Sequence, residues 1–219
     1  MNLFQHIKDH EITVITKSLL QSAESIYQEL KSGISLTSLQ TTNASNDEQM
    51  ELDVFADHCF TDNFIKNTNV KYILSEESTD IIKHGKGNYS IAFDPLDGSK
   101  SALVGIPPGA IFGVFKEVDN ISDFCGSNII MGGFFIFGIR LEVYFSLNEE
   151  TYKGVYNESC LEWQFERINH LSKGKMIAIN ASNKNKWDKW LQSLYDDLIC
   201  REDENGKSYN MRWYASMVA

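Results

Sequence analysis

A short apolar run, Ser90 to Phe93, empties directly into Asp94-Pro95-Leu96-Asp97-Gly98-Ser99. No other segment constrains the chain as much. The run reads as a buried strand, so the polar turn has to emerge where that strand ends. Pro95 fixes φ and removes a donor. Gly98 lets the backbone approach a ligand closely. Asp94 and Asp97 flank the turn, so both carboxylates can point at one ion, and the Leu96 carbonyl between them offers a third hard oxygen, a donor set suited to Mg²⁺. The N–H groups of Gly98 and Ser99 would face an anion if a helix begins there. Turn geometry alone does not require two aspartates and a serine after an apolar strand. We read the segment as functional.

Four more acids could join it. Glu76-Glu77 follow the apolar run Val70 to Leu74, and Asp47 and Asp53 lie around a helix start. Taken singly, each has a plainer explanation: a solvated acidic pair, a helix-start residue stabilised by the dipole, an exposed helical residue. Convergence would change that. Two unit charges about 4 Å apart cost on the order of 4 kcal/mol at an effective dielectric near 20. Such a cluster persists only with bound cations or with some groups protonated, and either marks a site.

Around these acids the chain mixes periods. Ile12, Ile15, Leu19, Ala23, Ile26 and Leu30 recur every three or four residues and predict an amphipathic helix. Gly33 to Asn46 reads as an irregular connector. Asn46 with Gln49 predicts a capping box for a helix carrying Leu52, Phe55, Ala56, Cys59, Phe60 and Phe64. Lys83 to Asn88 reads as a loop. Ala110–Phe115, Phe134–Ile139 and Arg140–Leu147 read as strands, with Gly132-Gly133 before the second, and weaker strands follow to about Arg167. Ser172 to Lys175 is a polar break, giving expected domains of 1–172 and 173–219. Beyond it we expect a strand, Met176 to Ile179, then a helix with Trp187, Trp190, Leu191, Leu194 and Leu198, and a strand-like end from Met211 to Ala219. The pattern predicts an α+β, layered fold.

Composition narrows the function. Thirty acidic and twenty basic residues give a net charge of −10, which argues against nucleic acid as the main partner. No window approaches the roughly 18 apolar residues of a membrane span, and the start lacks a signal-peptide pattern. The four separated cysteines read as reduced thiols in a cytoplasmic protein.

Ile91 to Ser99, followed by Gly109-Ala110-Ile111-Phe112-Gly113-Val114-Phe115, resembles the fructose-1,6-bisphosphatase and sedoheptulose-1,7-bisphosphatase family, within the Mg²⁺-dependent, lithium-sensitive phosphatases. Asp47-Glu48-Gln49, Leu52-Asp53 and Ala56-Asp57 are most similar to the sedoheptulose branch. Ser75-Glu76-Glu77, Gly174-Lys175-Met176, Arg212 and Ser216 to Ala219 match further landmarks.

The resemblance implies the sugar-phosphatase fold, an α-β-α-β-α sandwich whose second half is incomplete here. It implies Mg²⁺-dependent hydrolysis of the 1-phosphate of fructose 1,6-bisphosphate or sedoheptulose 1,7-bisphosphate. Glu76, Asp94, Asp97 and the Leu96 carbonyl would hold Mg²⁺. Asp53 and Glu77 would orient and deprotonate the attacking water, with Asp47 on a mobile loop nearby. Asp97, Gly98 and Ser99 would bind the cleaved phosphate, Asn180 the distant one, and Arg212 would reach a neighbouring subunit's site in a homodimer or homotetramer. Lys100, Asn183 and Trp213 depart from the family pattern. Lys100 would either offset substrate charge or sit in solvent. The family continues past Met217-Val218-Ala219 for roughly a third of its fold, with another metal-binding glutamate, so a truncated member is expected. Two alternatives follow: a remnant that binds metal, sugar phosphate or sister subunits without turnover, and an inositol-phosphate phosphatase.

Overall fold

The computed structural model describes residues 3–33, 38–42, 48–116, 118–169 and 174–213, without the side chains of 38–42, 48 and 49. Helix α1 (His10–Ser32) follows its apolar stripe. Ile12, Ile15, Leu19, Ala23 and Ile26 are buried, and Asp9 caps the start by accepting the N–H groups of Glu11 and Ile12 at 2.8 and 3.2 Å. Gly33, at φ 68°, closes it in the left-handed region that glycine enters without strain.

The expected connector contains a strand. β1 (Ser38–Thr42) pairs antiparallel with β2 (Glu48–Met50). A ladder is made by backbone groups, so a Ser/Thr-rich segment can form one when a partner lies close in sequence. Gln49 is therefore a strand residue and closes no capping box; Asn46 lies outside the described residues. Met50 precedes α2 (Glu51–Ile65), and Asp53 holds that end, its Oδ2 accepting the Met50 N–H at 2.7 Å.

β3 (Val70–Ser75), β4 (Ile82–Lys83), β5 (Tyr89–Asp97), the single-turn helix α3 (Ser99–Ala102), β6 (Gly109–Lys116), β7 (Ile129–Phe137), β8 (Leu141–Leu147), β9 (Glu150–Asn157) and β10 (Glu162–Ile168) follow. The sheet runs β10-β9-β8-β7-β6-β5-β3-β4. β3 and β5 are parallel, and β5 through β10 form an antiparallel meander. Lys83 thus ends a short edge strand before the loop. Gly132-Gly133 lie inside β7, not before it. A Cβ at Gly133 would come within 2.4 Å of the Tyr144 carbonyl oxygen and 2.5 Å of the Phe145 Cβ, so only glycine fits where β8 crosses.

Burial alternates along the strands, and their inward side chains share one core with α1 and α2. At its centre Phe60 meets Phe93 and Phe135 at centroid distances of 5.2 and 6.3 Å, and Phe64 meets Phe93 at 5.6 Å. These rings lock α2 onto β5 and β7, which places Asp53 relative to the acidic turn.

Met1–Asn169 form the body of one compact unit and His170–Ala215 a second. In the second, β11 (Met176–Ala178) pairs parallel with β12 (Asn210–Arg212), and α4 (Lys189–Ile199) buries Tyr195. Trp187 lies before α4 rather than on it and packs edge-on against Tyr195 at 5.7 Å. The apolar end from 214 onward and the polar break at 170–173 lie outside the described residues. Among the described residues no helix is long and apolar enough to cross a membrane. All four cysteines are free.

Candidate active site

β5 carries the acidic turn through an irregularity. Asp94 pairs with Ile111 of β6, but Asp97 pairs with Gly109. Three steps along β5 therefore match two along β6, a one-residue bulge at Pro95-Leu96, where proline has no N–H to offer the ladder. In a regular strand, residues three apart point to opposite faces. The bulge removes that constraint, and Asp97 raises the pKa of Asp94. Asp94 Oδ1 accepts the Leu96 N–H at 3.0 Å, while the Pro95 and Leu96 side chains are buried. Gly98, at φ 85°, turns the chain into α3.

Asp53 approaches from α2. Helix position alone suggests an exposed residue, yet Asp53 is only 4% exposed. Burial raises its pKa most, with Glu76 adding to the rise. The Met50 N–H, the Ser99 side chain and Lys100 oppose it. Its Oδ1 is buried and has no hydrogen-bond partner among the described residues. Asp94 is pushed up to about 7, first by burial, then by Asp97, Glu76 and Asp53, against the Leu96 hydrogen bond. Asp53, Glu76, Asp94 and Asp97 thus share one electrostatic field although they come from α2, the turn after β3, and β5. Lys100 is exposed, and its charge works against the rise at Asp53.

Glu76 and Glu77 are held through their backbones. The Glu76 N–H donates to the Phe93 carbonyl at 3.0 Å, and the Glu77 N–H to the Ser75 Oγ at 3.2 Å. An open cavity of about 600 Å³ lies beside the end of β3 and the middle of β5 and β6, with Glu76, Asp94 and Ser78 among its walls and Ile111, Phe115 and Ile129 on its apolar side. Asp47 lies outside the described residues. Asn180 and Arg212 belong to the second unit. Asn180 Oδ1 accepts the Ser182 N–H at 3.1 Å, and the exposed Arg212 donates to the Met211 carbonyl at 2.8 Å.

The donors fit a hard divalent cation. They are all oxygens, they repel one another, and one buried carboxylate oxygen lacks a partner among the described residues. Among the described residues, no three such side chains stand close enough to hold an ion together. Asp57 lies one helical turn after Asp53 on α2. Its carboxylate accepts a hydrogen bond from Ser75, a link between α2 and β3 that spacing along the chain does not reveal.

Residues 3–167 match the family model for the N-terminal domain of fructose-1-6-bisphosphatase. A class 1 fructose-1,6-bisphosphatase of Rhodobacter capsulatus is 34% identical over 186 residues, 81% of this chain and 55% of that protein. One from Neisseria meningitidis is 29% identical over 232 residues, covering 98% of this chain and 71% of the relative. The chain thus spans about half the length of the first relative. The holo crystal structure of Leishmania major fructose-1,6-bisphosphatase superposes with a TM-score of 0.86 at 22% identity, over 99% of this chain and 72% of that one. This likeness shows the fold, mixed sheet and layered helices included.

Proposed function

The chain belongs to the fructose-1,6-bisphosphatase family, and we propose that it takes part in divalent-metal-dependent hydrolysis of the 1-phosphate of a sugar bisphosphate. One observation carries the reading: on the phosphatase-like turn Asp94 is pushed up to about 7, first by burial and then by the charges of Asp97, Glu76 and Asp53. Glu76, Asp94, Asp97 and the Leu96 carbonyl would hold Mg²⁺. When bound, the cation neutralises phosphate oxygens and lowers the pKa of a bound water. Asp53 and Glu77 would orient the attacking water and accept its proton, which requires a carboxylate that is ionised yet poised near working pH. Gly98 and Ser99 would receive the cleaved phosphate on their N–H groups, and Asp47 would be a third catalytic acid.

Fructose 1,6-bisphosphate is the favoured substrate, because the named relatives are fructose-1,6-bisphosphatases; the sedoheptulose analogue is the competing sugar. Asn180 and Arg212 would serve the distant phosphate and a neighbouring subunit, with 173–219 as part of a substrate domain and a homo-oligomer as the assembly. A cytoplasmic role in sugar-phosphate metabolism goes with this reading.

One observation favours a second reading, binding without turnover: no three acids stand ready around an ion among the described residues. Phosphate release from each sugar, with and without Mg²⁺ and with Asp97→Asn as control, separates the two. Mg²⁺-dependent release that Asp97→Asn abolishes supports hydrolysis. Binding of the sugar without release supports the second reading.

A further inference from the structure

We propose that Asp57 is a positioning residue that aims the Glu76-Glu77 turn through the hydroxyl of Ser75; this rests on the role given above to those acids. Asp53 and Asp57 are four residues apart on α2, so they share one side of the helix. Asp53 acts on the acidic turn, where its charge raises the pKa of Asp94. Asp57 instead accepts the hydroxyl hydrogen of Ser75, the last residue of β3.

Ser75 is 6% exposed, and its hydroxyl has one proton to give. An ionised carboxylate can only accept, so the contact with Asp57 commits that proton and fixes the rotor. The oxygen lone pairs are left for the Glu77 N–H, which reaches them at 3.2 Å. The same turn is tied to β5 by the Glu76 N–H on the Phe93 carbonyl at 3.0 Å, and to its own start by the Ser78 N–H on the Ser75 carbonyl at 3.3 Å. One acid thus hangs from the sheet and the next from a hydroxyl whose direction α2 sets. Without Asp57 the hydroxyl is free to rotate and donate elsewhere, and the Glu77 amide loses its acceptor. Asp57 needs no contact with substrate or cation for this role.

The test uses the full chain with Asp57→Ala, Asp57→Asn, Ser75→Ala and the double variant Asp57→Ala/Ser75→Ala. Hydrogen exchange of the Glu77 amide, followed by NMR without metal, should speed up about tenfold in Asp57→Ala and Ser75→Ala, as for loss of one hydrogen bond. Asp57→Asn keeps an acceptor oxygen and should restore protection. With Mg²⁺ and sugar bisphosphate, kcat should fall about tenfold in the alanine variants with KM little changed, as for lost support of a site residue. The double variant should be no worse than either single one. Unchanged Glu77 exchange in Asp57→Ala overturns the relay. Should that variant not fold, unchanged exchange in Ser75→Ala overturns it instead. An inactive wild type defeats the phosphatase reading, while the exchange data still judge the relay.

Discussion

Asp94 is tied to the backbone of Leu96: its Oδ1 accepts the Leu96 N–H at 3.0 Å. That bond favours the ionised carboxylate, yet burial and the charges of Asp97, Glu76 and Asp53 outweigh it and leave the group at about 7. The ordinary value is 3.8, so the metal-free fold binds a proton that the unfolded chain releases. The stability this contributes is full below about pH 4 and is lost as pH rises to about 7. Asp94→Asn should flatten the fall in melting temperature between pH 5 and pH 8 and raise it at pH 8. An unchanged pH profile in that variant would count against the charge crowding.

Divalent metal should reverse the same repulsion. At pH 8, Mg²⁺ at about a hundred times its dissociation constant should stabilise the fold by roughly 2.7 kcal/mol, and a chelator should remove the gain. Asp97→Asn should lose most of it. Thermal unfolding with and without Mg²⁺ reads this directly, and equal shifts in both proteins would place the ion elsewhere.

Phe60 lies at the centre of the aromatic group that fixes α2 to the sheet, 5.2 Å from Phe93 between ring centres. Phe60→Ala should cost about 3–5 kcal/mol in urea unfolding. A loss below 1 kcal/mol would mean the core closes around the gap.

Gly133 has no room for a methyl group, with the Tyr144 carbonyl oxygen 2.4 Å from where it would stand. Gly133→Ala should destabilise by about 3 kcal/mol through overpacking. By contrast Gly126→Ala, where nothing lies within 4 Å, should be close to neutral. Equal stability of the two variants is the result that contradicts this.

Cys59 is half-buried and its thiol is pushed up to about 11, mostly by burial, whereas Cys125, Cys160 and Cys200 are exposed. The thiolate is the reactive form. Brief alkylation at pH 8 should add three groups, with the fourth appearing only on unfolding. Mass spectrometry counts them.

Much of the molecule was legible along the chain because local rules act there. The stripe from Ile12 to Leu30 gave α1, and apolar runs located β3, β5, β6 and β8. The run from Ile91 to Ser99 marked the acidic turn through residue types that a turn by itself does not need. Local rules misplaced the start of α2, because a short hairpin partner took Gln49 into β2. They placed Gly132-Gly133 outside the strand that uses the missing side chain to let β8 pass. What the residues alone settled was which acids were available. Whether they meet depended on packing. The bulge at Pro95-Leu96 set Asp94 against Asp97, the Phe60 cluster carried Asp53 to the turn, and Ser75 joined Asp57 to Glu77. The first link turns on a local irregularity that residue types do not announce, and the other two span elements distant in sequence, where side chains brought together by a core have no periodicity by which a linear reading could detect them.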